Sequence, residues 1–176
     1  MLKKSMEKAI NKQINAELWS AYLYLSMASY FDSKSLSGFS NWMQAQAQEE
    51  INHAMRFYNH VVERGGHVKL TAIDEVPTKW NSPLNVFEET YKHEQKVTSL
   101  IEDLADLAEK EKDRASMNML QWFIDEQVEE EDSADEIVQK LKLIGDSGNG
   151  LFMLDRELGQ RQYNGDITAK QTEEDA

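Results

Sequence analysis

The chain has no cysteine, only two prolines and only eight glycines in 176 residues. Without cysteine there are no disulfides, no thiolate metal sites and no cysteine nucleophile. So few breakers leave long stretches free to be helical. Long apolar runs are missing too: nothing approaches the ~18 uninterrupted apolar residues of a membrane span. The opening MLKKSMEKAI has no apolar segment of the kind a secretory signal needs, so no signal peptide is expected. Basic charge is scarce. Lys and Arg number 19 against 32 Asp and Glu, a formal charge of −13. That balance argues against nucleic-acid phosphate and against a basic membrane-surface helix as partners. It suits a protein that attracts cations, and the absence of cysteine suits a reducing cytoplasm.

What is present is enough apolar residue, 40% of the chain, for one real core. The breakers divide the chain into helical patterns over about 5–32, 36–64, 83–109 and 114–144, with a short fifth over 149–160. Gly65-Gly66 and Gly145 stop the second and fourth. Ser82-Pro83 and Asp113 read as starts. Four helices of this length each reach on the order of 40 Å. Two short links and one long one, over 67–82, predict an all-α four-helix bundle with one crossover, in which the second and third helices run parallel. The expected division is a bundle domain over 1–160 and a polar tail over 161–176.

Each helix carries an apolar stripe in steps of three and four, and each stripe is interrupted at its middle by polar groups. These are Glu17 in the first, Gln46, Glu50 and His53 in the second, Glu94 in the third, and Gln127 and Glu130 in the fourth. Burying one unpaired carboxylate costs several kcal/mol, and no Lys or Arg lies on the stripes to pair with these. A multivalent cation is the simplest compensation; a buried polar network is the alternative. The positions are also in register. Glu17 and Glu94, Glu50 and Gln127, His53 and Glu130, and Glu49 and Glu126 are each 77 residues apart. Two helix pairs related by an approximate two-fold axis would bring them to one level. Glu50-Ile-Asn-His53 puts carboxylate and imidazole on one helix face. Oxygen-rich ligation with one imidazole suits iron or manganese.

At these residues the chain resembles the ferritins, specifically the non-haem bacterial ferritins, over about 2–160. The resemblance implies that Glu17, Glu50 and His53 hold a first iron, and that Glu50 bridges to a second held by Glu94 and Glu130. It makes Gln127 an amide beside that pair, Glu49, Glu126 and Glu129 ligands of a third iron, and Tyr24 a nearby electron donor. Fe(II) would be oxidised to Fe(III) by dioxygen or hydrogen peroxide and stored as ferric oxide mineral inside a shell of twenty-four subunits. Haem is not expected: where haem-binding relatives repeat Glu-x-x-His this chain has Gln127-Val-Glu-Glu130, and where they place a haem-ligating Met it has Ile51. Blander readings remain for some residues. The run from Glu126 to Asp132 also fits a solvated helix face, and Tyr24 also fits the core. Trp122, His60, His67 and His93 read as packing, structural or exposed positions. A fifth-helix face of Leu151, Leu154 and Leu158 would either dock on the bundle or line a pore. Three functions stay open: a storage ferroxidase, a di-iron enzyme acting on another substrate, and a storage subunit without catalysis.

Overall fold

A computed structural model of the chain describes residues 1–163. They form five helices, α1 (Lys4–Ser33), α2 (Ser37–Glu63), α3 (Pro83–Glu111), α4 (Arg114–Ile144) and α5 (Gly148–Leu158), with no strand among the described residues. The ends are set by local chemistry. Pro83 opens α3 while the Ser82 hydroxyl accepts the Asn85 N–H at 3.1 Å. Asp113 accepts the Ser116 N–H at 3.2 Å at the start of α4, and Ser147 accepts the Gly150 N–H at 3.2 Å at the start of α5. Gly65 and Gly145 follow the ends of α2 and α4 at φ +70° and +54°, a conformation that penalises a Cβ. The predicted helix bounds differ from the observed ones by one or two residues, within ordinary end fraying.

The crossover between α2 and α3 is pinned along α1. Asn11 donates to the His67 carbonyl at 3.1 Å and accepts the Lys69 N–H at 2.5 Å. Asn15 donates to the Ala72 carbonyl at 3.0 Å, and Ser26 to the Pro77 carbonyl at 2.7 Å. Further on, the Tyr30 and Trp80 rings meet edge to face at 5.8 Å. From Asn11 to Ser26 the link thus climbs about 22 Å of helix. It carries the chain from the end of the bundle where α2 finishes to the end where α2 began. That climb makes α2 and α3 parallel and leaves α1–α2 and α3–α4 as two antiparallel hairpins.

The core is two apolar clusters with a polar belt between them. One cluster, at the α5 end, contains Tyr24, Phe31, Phe39, Met43, Phe87 and Leu141. The other contains Ile10, Ile14, Phe57, Ile101, Leu120 and Phe123. On every long helix the polar interruption falls where one cluster gives way to the other. The stripes that steps of three and four predict, Ile10, Ile14, Glu17, Ala21, Tyr24, Ala28 and Phe31 on α1 and Phe39, Met43, Gln46, Glu50, His53, Phe57 and His60 on α2, are buried throughout. On α3, steps of three and four predict a stripe of Leu84, Phe87, Tyr91, Glu94, Thr98, Ile101, Ala105 and Ala108, but Leu84, Tyr91 and Thr98 are half-buried while Val86, Thr90 and Val97 are buried instead. Leu154 and Leu158 of α5 are buried in the first cluster with Leu151 against it, so this leucine face docks on its own bundle. Phe152 and Met153 of α5 are exposed. No helix among the described residues is long and apolar enough to cross a membrane. Residues 164–176, most of the expected polar tail, lie outside the described residues.

Candidate metal centre

The belt is built from side chains that helical spacing alone would direct inward. Glu17, Glu50 and Glu94 are each 1% exposed, Glu130 6%, His53 4% and Gln127 3%. Two sets of potential ligand atoms lie within 4.8 Å of one another: Glu17 with Glu50 and His53, and His53 with Glu126 and Glu130. His53 therefore belongs to both, and its Nδ1 is 3.6 Å from Glu50 Oε2. Its ring is fixed by edge contacts with Trp122 at 5.5 Å and Phe123 at 5.7 Å. Trp122 in turn carries the Arg56 guanidinium on its face at 4.1 Å.

Glu94 joins neither set. The Tyr24 hydroxyl donates to its Oε1, and Gln127 Nε2 donates to its Oε2 at 3.3 Å and to its backbone carbonyl at 3.2 Å. Tyr24 and Gln127 thus act directly on a belt carboxylate. Of the three carboxylates expected to hold a third iron, Glu126 stands with His53 and Glu130, while Glu129 is exposed to solvent. Glu49 is half-buried and ion-paired with Arg161.

The electrostatics are those of a site short of positive charge. Burial pushes Glu17 and Glu50 well above the ordinary carboxylate range, and neighbouring carboxylates push further: Glu50 on Glu17, and Glu94 and Glu130 on Glu50. Burial raises Glu94 to about 7, against the pull of its Tyr24 and Gln127 donors. Burial and the charge of Glu94 raise Glu130 to about 8. No Lys or Arg pairs with any of the four among the described residues. Glu17 Oε2 and Glu50 Oε2 are buried without a hydrogen-bond partner. Orphaned carboxylate oxygens beside an imidazole nitrogen offer lone pairs to a cation and to little else.

Two glutamines steer the belt: Gln46, which the sequence places on the α2 stripe without a role, and Gln13, which it does not single out. Gln13 Nε2 donates to Glu17 Oε1 at 2.9 Å, and Gln46 Nε2 donates to Glu130 Oε2 at 2.6 Å. For Gln13 the available signal was its place four residues before Glu17 on the same helix face; the reach of Gln46 to Glu130 crosses from α2 to α4 and has no local signal. The remaining histidines lie outside the belt. His60 Nε2 is 3.0 Å from Ser116 Oγ, His67 is exposed, and His93 Nε2 is 2.8 Å from Ser20 Oγ. Burial lowers His93 to about 4, which keeps it neutral.

A crossover four-helix bundle with carboxylates from all four helices and an imidazole converging at mid-height is the architecture of the di-metal carboxylate proteins. The chain belongs, within that class, to the ferritin-like family, and among its members to the non-haem ferritins: residues 7–144 match the ferritin-like domain. It is 47% identical over 161 residues to the bacterial non-heme ferritin of Bacteroides fragilis, covering 92% of this chain and 100% of that protein. The bacterial non-heme ferritin of Staphylococcus aureus is 37% identical over 164 residues, covering 93% and 99%. Among solved structures, an open pore ferritin from the hyperthermophilic archaeon Archaeoglobus fulgidus superposes with a TM-score of 0.91 at 56% identity, covering 92% of this chain and 98% of that one. A humanized archaeal ferritin gives 0.93 at 53% identity, covering 94% and 100%.

Proposed function

We propose that this protein stores iron, and that each subunit oxidises Fe(II) at the belt before the metal is deposited as ferric oxide. The observation that supports this most directly is the pair of orphaned buried oxygens, Glu17 Oε2 and Glu50 Oε2, beside His53 with no cationic side chain to answer them. Glu17, Glu50 and His53 would hold one Fe(II), and Glu50, Glu94 and Glu130 a second. Two Fe(II) supply the two electrons that take dioxygen to hydrogen peroxide, with two protons from solvent. The protein's share is to gather, orient and neutralise. Gln13 and Gln46 fix the carboxylates of Glu17 and Glu130, while Tyr24 and Gln127 fix that of Glu94. Binding of the dication displaces the protons that burial leaves on these carboxylates at neutral pH. Glu126 and Glu129, with Glu49, would take a third iron beside the pair.

Assembly into a closed shell of twenty-four 20.3 kDa chains, working in the cytoplasm, completes the storage reading. Exchange of Glu50→Ala or His53→Ala is expected to slow initial aerobic Fe(II) oxidation by roughly tenfold or more, followed by stopped-flow absorbance. Unchanged rates in both variants would remove oxidation from this belt. Light scattering after size exclusion checks storage: a stable particle under about 100 kDa is too small to enclose mineral.

A further inference from the structure

Among the described residues, Glu49 is the one carboxylate around the centre that is ion-paired with a lysine or arginine side chain. Its partner, Arg161, lies just beyond α5 and is held there by several independent contacts. Asn41 Nδ2 donates to the Arg161 carbonyl at 2.9 Å, and the Arg161 N–H donates to the Leu158 carbonyl at 3.2 Å. The guanidinium lies on the Trp42 ring at 4.4 Å and reaches Glu49 Oε2 through Nη2. Upstream, Asp155 accepts the N–H groups of Gly38 and Phe39 at 2.8 and 3.1 Å, so α5 is fastened to the start of α2. At Gly38 an added Cβ would come within 1.6 Å of the Asp155 carbonyl oxygen, so the fastening depends on glycine. Arg161 is therefore delivered to Glu49 by a fixed element.

The contact is strong enough to compete and incomplete enough to be displaced. It is monodentate: Arg161 Nη1 is buried without a hydrogen-bond partner among the described residues. A forked, two-bond pair would hold considerably harder. Both side chains keep some exposure, 22% for Arg161 and 27% for Glu49, so the pair is partly screened. An arriving dication must displace the guanidinium from Glu49. Trp42 still holds the displaced guanidinium close by, where its charge opposes the new ion.

We propose that Arg161 is a positioning residue that occupies Glu49 in competition with the third cation, so that this position binds iron weakly and passes it on. The proposal rests on the reading that Glu49, Glu126 and Glu129 form a third site. Arg161 sets how tightly that site holds an ion and leaves the belt itself alone.

The test is Zn(II) binding to the assembled, iron-free protein, by equilibrium dialysis, with Zn occupancies refined from anomalous scattering in soaked crystals. Arg161→Gln keeps a planar head for Trp42 and removes the charge. It is expected to tighten the third Zn(II) by roughly tenfold while the two belt ions keep their affinity. Arg161→Lys keeps the charge and is expected to stay close to the unaltered protein. In a Glu49→Gln background the Arg161→Gln gain should vanish. The proposal is overturned if Arg161→Gln leaves the third affinity unchanged or weaker, or if the gain survives without the Glu49 carboxylate. The two failures separate by count. If the unaltered protein and Arg161→Gln both saturate at two Zn(II) per subunit, the third site itself is wrong. Three with equal affinity removes only the role of Arg161.

Discussion

His53 stands in reach of two carboxylate groupings, Glu17 with Glu50 on one side and Glu126 with Glu130 on the other. One imidazole shared in this way ties the belt to the carboxylates outside it, so residues a turn apart on α4 are chemically connected through α2. The amides matter as much as the acids at this scale. Gln46 is the donor on Glu130 Oε2, and its hydrogen bond pulls the Glu130 carboxyl down from where burial and Glu94 push it. Gln46→Leu removes that donor, so the Glu130 pKa should climb above about 8. A ligand must lose its proton to bind, so the variant should bind divalent metal several-fold more weakly at pH 7, and the gap should close above pH 9. Anaerobic Fe(II) titrations at the two pH values measure this. An equal deficit at both would mean Gln46 acts by shape and not by proton affinity.

Helix α1 does two jobs with two faces. Its inward face carries Glu17 and Tyr24, and its outer face carries Asn11, Asn15 and Ser26, which hold the crossover. These side chains satisfy backbone groups of a segment with no regular structure of its own, each hydrogen bond being worth roughly 1 kcal/mol. Replacing Asn11 and Asn15 together by Ala should therefore loosen the crossover while the bundle stays intact. Hydrogen exchange at the Lys69 amide, which Asn11 accepts, is expected to accelerate strongly while mid-helix amides of α1 and α2 keep their protection. Uniform acceleration would mean the link is structurally integral to the bundle. Local signals made the elements readable from sequence. Ser82-Pro83 and Asp113 state starts in their own chemistry, and Gly65 and Gly145 state stops. The stripe of α3 was less legible, at Leu84, Tyr91 and Thr98, because which side of a helix is covered depends on neighbours distant in sequence.

Taken as a whole, the molecule places its least stable charges at its centre. The raised carboxyls of Glu94 and Glu130 make the iron-free fold depend on pH in a defined direction. Below the unfolded value of 4.5 both states carry the protons and nothing is lost. From 4.5 up to about 7 for Glu94 and about 8 for Glu130, the unfolded chain releases protons that the folded chain retains, so stability falls as pH rises, by up to about 1.4 kcal/mol per group per pH unit. The melting temperature of iron-free protein should decrease from pH 6.5 to pH 8, above the range in which the lowered His93 and His60 act in the opposite direction. A divalent metal should restore more of it at pH 8 than at pH 6.5, because it replaces the missing positive charge. Calorimetry across that range checks both halves. A melting temperature that rises with pH would mean the belt is solvated and not buried.

The sequence by itself determined the four long helices, the length of the crossover and the level at which Glu17, Glu50, Glu94 and Glu130 meet. Helical period and the repeated 77-residue spacing are both properties of residue order. It also determined the −13 charge, and the inward placement of four acids follows from their seat on apolar stripes. The tertiary structure decided which acids share His53, that Glu94 is held by Tyr24 and Gln127, and that Gln13 and Gln46 steer the carboxylates. It also decided that Arg161, 112 residues from Glu49, ends beside it. These are side-chain directions and approaches between separate helices. Spacing along one helix cannot encode them, because they are fixed only when the hairpins pack and the last helix docks.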